Sequence, residues 1–208
     1  MKILVTGFEA FGNDAINPTE ELLKQLPSKI KDASIDTVLL PVVGKQTDRI
    51  LREYLYTDYD CVISFGLAGG IDEIRVERVA INVDDYRIKD NAGNQPIDEP
   101  IERNGKNAYF STLPIKRIVE KLNTDDYKAS VSNSAGTYVC NHVMYEVLYI
   151  LEKANKQTKA GFIHVPYLDT QDKKPSISLE KLTEAAITII STCIAYDQDV
   201  KVSGGKEF

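Results

Sequence analysis

The sequence predicts an α/β fold, a single-domain three-layer α/β/α sandwich around a twisted, largely parallel mixed sheet, and three observations carry that reading. Short β-branched runs alternate with helix-length stretches, the connections are long enough for crossover helices, and 208 residues suffice for one sizeable core but not for two comfortable domains. Lys2 to Gly7 reads as a buried strand through its Ile-Leu-Val-Thr run. Asn17-Pro-Thr-Glu20 then supplies a cap, a first-turn proline and an acid at the third helical position, which predicts a helix from Pro18 to about Leu26. Extended residues near Ser34 to Leu40, a helix from Lys45 to about Tyr56 and an apolar run from Cys61 to Phe65 follow. The alternation resumes with Ile115 to Leu122, Ala129 to Ser132, a long helix from about Gly136 to Ala154, Gly161 to Val165, and Leu179 to Ala195. The polar middle, Asp84 to Lys106, holds Asn91-Ala-Gly-Asn94 and two prolines and reads as a loop excursion over the sheet. One unit over residues 1–208 is expected, with a tail fraying from about 198.

Composition excludes several functions. With 25 Lys and Arg against 31 Asp and Glu, the net charge of −6 gives duplex nucleic acid no footprint. No run of 18 apolar residues offers a membrane span, and Thr6-Gly7 cut short the only apolar start, so export is not indicated. Cys61, Cys140 and Cys193 show no CxxC spacing; they suggest neither a disulfide framework nor a closed cysteine metal site, and fit a reducing cytoplasm. Gly7 to Gly12 has the glycine spacing of a phosphate loop, but Asn13 and Asp14 stand where Lys and Ser or Thr are needed. Motifs of the GxGxxG, HExxH and GxSxG types do not occur, and two histidines are too few for a histidine-rich metal centre. Gly66-Leu-Ala-Gly-Gly70 after a strand can form an anion-friendly turn or an active-site wall.

Cysteine is the more informative nucleophile candidate. Cys140 falls near the start of a helix, where partially positive amides stabilise a thiolate; its bland alternative is an apolar contact beside Val139, Val143 and Met144. Cys61 and Cys193 sit in apolar runs and read as core. His142, two residues on, diverges from Cys140 by about 200° on a helix, which leaves it for an adjacent element or for solvent. His164 ends a strand before Pro166 and can meet a residue displayed by a neighbouring helix, as base and then acid in acyl transfer, or serve as a core-edge structural histidine. If Ile74 to Val83 is extended, Glu77 shares a face with Val79, Ile81 and Val83 and needs a partner there. That partner is His164, whose tautomer Glu77 would fix, or else Arg75 or Arg78 in an ion pair. Asp84 and Asp85 are alternatives to Glu77, though the neighbouring polar loop makes solvation easier for them.

Five segments, in their order and spacing, carry a resemblance. They are Thr6-Gly-Phe-Glu-Ala-Phe-Gly12 with Ile16-Asn-Pro18, Gly66-Leu-Ala-Gly-Gly70, Glu77-Arg-Val-Ala-Ile-Asn82, Ser132-Asn-Ser-Ala-Gly-Thr-Tyr-Val-Cys-Asn141 and Gly161-Phe-Ile-His-Val-Pro-Tyr167. Over nearly the full chain the sequence resembles the pyroglutamyl peptidase I, or pyrrolidone-carboxylate peptidase, family of cysteine exopeptidases. The resemblance implies a Cys140, His164, Glu77 triad that removes an N-terminal pyroglutamyl residue from peptides through a thioester, with no metal or organic cofactor. It further implies oxyanion support from Arg87, a lactam pocket built on Phe8 and Phe11 with Asn17 as a further candidate, and assembly as a homotetramer or dimer. Asn17 is equally well explained as a helix cap. Ala10 stands where the family usually has proline, Gly12-Asn13 where Gly-Gly is commoner, Leu67 where some members have glutamine, and Tyr86 where alanine is commoner. Tyr86 is therefore expected to narrow an entrance or mediate subunit packing. Two competing functions are a catalytically weak binding protein of the same fold and a cysteine amidase of different acyl specificity.

Overall fold

A computed structural model describes residues 1–205 of the chain; residues 206–208, and the part of the fraying expectation that falls on them, lie outside it. The first cycle is β1 (Lys2–Phe8), α1 (Pro18–Gln25), β2 (Lys29–Ile30) and β3 (Ala33–Leu40). Helix α1 starts as the sequence dictates: the Asn17 side chain accepts from Thr19 N at 3.0 Å and Pro18 opens the first turn. Next come α2 (Gly44–Leu55), β4 (Cys61–Leu67), β5 (Ile74–Glu77), β6 (Val79–Ile81) and β7 (Ala108–Phe110). The chain continues with α3 (Ile115–Thr124), β8 (Ala129–Ser132), α4 (Val139–Lys153), β9 (Lys159–Val165), β10 (Tyr167–Leu168), β11 (Ser176–Ile177) and α5 (Leu179–Ala195).

Seven strands form one sheet in the order β2-β3-β1-β4-β9-β5-β8, parallel except for the β2–β3 and β5–β9 pairs. The central strands β1, β4 and β9 are buried on both faces, whereas β3 near the edge alternates buried and exposed positions, and period-two alternation divides the inward side chains between two cores. Ile3, Val5, Ile63, Phe65, Val76, Ile163 and Val165 join the core under α1, α3 and α5. Leu4, Phe8, Val62, Ala160 and Phe162 join the core under α2 and α4. Each such large side chain, fully buried, stabilises the fold by about 1.5–3 kcal/mol over leaving it exposed. Alternation along β5 and β9 thereby turns Glu77 and His164 toward the α4 side, where Cys140 begins its helix.

Three local expectations change. The chain leaves the main sheet after Glu77: Arg78 N donates to Ser132 O at 2.9 Å, Ser111 N donates to Arg78 O at 2.8 Å, and β6 pairs with β7 in a separate ribbon. The ribbon buries Ala80 (0% exposed) and turns Ile81 out (38%), so the face expected to join Glu77, Val79, Ile81 and Val83 does not form. Helix α4 begins at Val139 because Gly136, at φ +78°, takes a left-handed turn that a helix cannot include. The Asp84 to Lys106 excursion has no helix and only an isolated bridge between Asp84 and Glu99, as a loop should. It lies against the segments after β3 and before α4, through Asn91 N to Val42 O and Asp85 N to Thr137 O, both at 3.0 Å. Where fraying was expected, Asp199 caps α3 by accepting from Lys116 N and Arg117 N, and Arg78 donates to Gly204 O. Among the described residues no helix is long and apolar enough to cross a membrane.

Candidate active site

Cys140 occupies the second position of α4, after the extended N-cap residue Tyr138, and the helix start has no side-chain cap. Its first-turn amides are therefore available to negative charge at the sulfur. Room for that sulfur comes from Gly66 at the end of β4: a Cβ there would lie 2.9 Å from Cys140 Sγ and 2.6 Å from Phe162 Cζ. Gly66 is also in register with His164 on β9, so the strand pairing that builds the sheet sets the imidazole beside the sulfur.

His164 Nδ1 meets Glu77 Oε1 at 2.8 Å, with the residues 7% and 1% exposed, and the Cys140 side chain stands close enough to the same imidazole to act on its charge. With Nδ1 taken by the carboxylate, Nε2 is left for the sulfur. Burial opposes charge on His164, but the Cys140 thiolate and the Glu77 carboxylate outweigh it and push the imidazole up to about 10. The arginines that could have claimed Glu77 are engaged elsewhere. Arg75 pairs with Glu73 at 3.2 Å, and Arg78 donates to Asn133 Oδ1 at 2.7 Å.

Beside Cys140 lies a small cavity, open to solvent on one side, lined by Phe8, Phe11, Asn17, Leu67 and Tyr138 among others. Phe8 packs on Phe162 (6.3 Å between centroids) and Phe162 on His164 (4.9 Å), so one aromatic wall runs from the cavity to the imidazole. Phe11 faces Tyr138 at 6.4 Å. Asn17 caps α1 and also borders the cavity: Oδ1 accepts from Thr19 N and Thr19 Oγ1, Nδ2 donates to Glu9 O at 2.9 Å, and the residue is among those lining the cavity. Arg87 is exposed on the loop and is not among the cavity-lining residues; its guanidinium has no ion pair among the described residues. Tyr86 is buried rather than at an entrance or a subunit surface, edge-on to Tyr138 at 4.7 Å, and so backs the cavity wall.

Sequence reasoning missed two features. Tyr138, two residues before the cysteine, lines the cavity, and its position at the helix start was the available signal. His142 does turn to an adjacent element, but its partner Asp84 is buried instead of solvated: Nδ1 meets Asp84 Oδ2 at 2.8 Å and Nε2 meets Asp48 Oδ1 at 2.7 Å. Burial works against charge on His142, yet the two carboxylates raise it to about 10. Among the described residues, no group of three or more His, Cys, Asp or Glu side chains is arranged to hold a metal ion.

The family model described as pyroglutamyl peptidase matches residues 1–196. This chain belongs to the pyroglutamyl peptidase family. It is 48% identical over 209 residues to the pyrrolidone-carboxylate peptidase of Fusobacterium nucleatum, covering 98% of each chain, and 47% identical over 211 residues to that of Finegoldia magna, covering 99% of each. Among solved structures, pyrrolidone carboxyl peptidase from Thermococcus litoralis superposes with a TM-score of 0.93 at 40% identity. Pyroglutamyl peptidase I from Bacillus amyloliquefaciens gives 0.93 at 38%; each match covers 97% of this chain and 99% of the other. Such coverage extends the pyroglutamyl peptidase fold over the whole sheet, both helical layers and the cavity.

Proposed function

We propose that the chain is a cysteine exopeptidase that removes an N-terminal pyroglutamyl residue, the five-membered lactam of glutamate, from peptides. The observation that carries this reading is the Glu77–His164–Cys140 cluster opening onto a small, aromatic-lined cavity. The Cys140 thiolate attacks the carbonyl carbon between the lactam residue and the next one. The developing oxyanion faces the first-turn amides of α4; the family resemblance adds Arg87 as cationic support, but its side chain stands exposed on the loop and outside the cavity lining, so the amides carry this role here. As the C–N bond breaks, imidazolium His164 gives its proton to the departing amine, and the shortened peptide leaves. Water then attacks the thioester, His164 takes its proton, and the Cys140 sulfur departs from pyroglutamate. Glu77 holds the imidazole in one tautomer and stabilises its charge. Phe8 and Phe11 suit the faces of a compact uncharged ring, and the second amide proton of Asn17 suits the lactam carbonyl. This lining weighs against an amidase of unrelated acyl specificity, and the assembled cluster weighs against a binding protein without catalysis.

Three free cysteines, two of them fully buried, support a reducing cytoplasmic setting, and the family resemblance supports a homotetramer or dimer. Light scattering of the purified protein reports the assembly; a monomer contradicts it. The function is tested by release of a chromophoric amine from pyroglutamyl, prolyl and free glutamyl substrates by wild type and Cys140→Ser. Preference for pyroglutamyl, abolished in the variant, is expected. Equal hydrolysis of all three rejects the specificity, and undiminished activity of the variant rejects the nucleophile.

A further inference from the structure

The loop between β6 and β7 holds a short turn that the chemistry above does not use. Buried Asp90 builds it: Oδ1 accepts from Ala92 N at 2.9 Å and Asn94 N at 2.8 Å, while Gly93 N donates to Asp90 O at 2.9 Å with Gly93 at φ +84°. A turn held from within can act as a rigid strap, and both of its flanks are fastened to the cavity. On one side, Tyr138 Oη donates to Lys89 O at 3.1 Å. On the other, Asn91 Nδ2 donates to Glu9 Oε1 at 3.1 Å and to Ala10 O at 3.0 Å, and Asn91 N donates to Val42 O at 3.0 Å. Glu9 Oε1 accepts from Val42 N as well, at 3.4 Å.

The segment so clasped, Glu9-Ala10, joins the two aromatics of the cavity, which are not equally secured. Phe8 ends β1 and is buried, and its N–H donates to Thr19 Oγ1 at 2.8 Å. Phe11 is half-buried, lies beyond the strand and precedes Gly12 at φ +63°, so its ring depends on how the Ala10 peptide is held. We propose that Asn91 is a specificity-determining positioning residue: by clasping Glu9 and Ala10 it sets the separation of Phe11 from Tyr138, and hence the fit of the lactam ring. The proposal rests on reading this cavity as the pyroglutamyl pocket.

The test compares wild type, Asn91→Ala and Asn91→Asp on pyroglutamyl and prolyl anilides, alongside the rate at which iodoacetamide, which needs no ring pocket, alkylates Cys140. Asn91→Ala removes about one net hydrogen bond's worth of positioning. KM for the pyroglutamyl substrate should rise about five- to tenfold and the preference over prolyl should narrow, with kcat and alkylation within about twofold of wild type. Asn91→Asp sets a carboxylate against Glu9 Oε1 and the Ala10 carbonyl and should raise KM further. Unchanged KM and selectivity in both variants, or a loss confined to kcat and alkylation, overturns the proposal while the pyroglutamyl reading stands. A wild type that leaves the pyroglutamyl anilide intact overturns both.

Discussion

Replacing Glu77 by glutamine perturbs the site with the least change of shape. The side chain keeps an oxygen that can accept from His164 Nδ1 at the same 2.8 Å, in a position 1% exposed, but it loses its charge. A hydrogen bond to a charged group is worth about 1.5–3 kcal/mol, so kcat/KM should fall roughly 10- to 100-fold at neutral pH. The pH profile adds a signature that a simple packing defect lacks. In the wild type, Cys140 and Glu77 together hold His164 as imidazolium up to about pH 10, against the opposing effect of burial. Without the Glu77 charge the imidazolium gives up its proton at lower pH, and the alkaline limb of kcat/KM, which reports the acid needed by the leaving amine, should move down. Initial rates on a pyroglutamyl anilide from pH 6 to 10 measure both effects. A variant within twofold of wild type, with an unmoved alkaline limb, would refute the assignment of Glu77 as the group that orients and charges His164.

Further outcomes follow from the same structure. His142→Gln leaves buried Asp84 without its cation and should destabilise the fold by about 3–5 kcal/mol in denaturant melts at pH 7. Because the folded-state value of His142 is raised to about 10 from 6.5, its contribution is complete below about pH 6.5 and fades as pH rises through 10. The gap between wild type and variant should therefore narrow at pH 10, and a constant gap would contradict the ion pair. Gly66→Ala drives a methyl to 2.6 Å from buried Phe162 and 2.9 Å from Cys140 Sγ; overpacking costs about 1–3 kcal/mol, and displacement of the sulfur should lower kcat about 100-fold. A Gly66→Ala enzyme with wild-type kcat would show that the sulfur does not need that space. Phe162→Leu removes the ring between Phe8 and His164 and should lower both thermal midpoint and kcat; an unchanged kcat on pyroglutamyl anilide would separate that wall from the chemistry.

Where structure follows from neighbours in sequence, the residues announced it. Asn17-Pro18 starts α1 as a cap and first-turn proline must, and Ala129–Ser132 and Leu179–Ala195 fall where their apolar patterns put them. Alternation along β9 and β5 also explains why His164 and Glu77 share a face, although it could not foretell that the chain turns out of the sheet at Arg78. That turn depends on Ser132 and Ser111, partners that no local period contains. The same holds for His142, whose partners Asp84 and Asp48 are 58 and 94 residues away, and for Asn91, 82 residues from Glu9. Gly136 looked compatible with a helix because its left-handed φ is a property of the turn and not of its neighbours' hydrophobicity. Of the cavity's aromatics, the family resemblance pointed to Phe8 and Phe11 but not to Tyr138, because the three come together only where the end of β1, the loop that precedes α1 and the start of α4 meet.

The central claim, that Cys140 carries the acyl group, is tested most directly by quenching the wild type in acid during turnover of a pyroglutamyl ester and mapping the modified peptide by mass spectrometry. One pyroglutamyl group on Cys140 is predicted, with Cys61 and Cys193 unmodified; both are buried, and the Cys61 thiol is pushed up by its hydrogen bond to Cys193 and by burial. Acylation of either of those cysteines, or full turnover with no adduct at Cys140 even when deacylation is slowed, would contradict it.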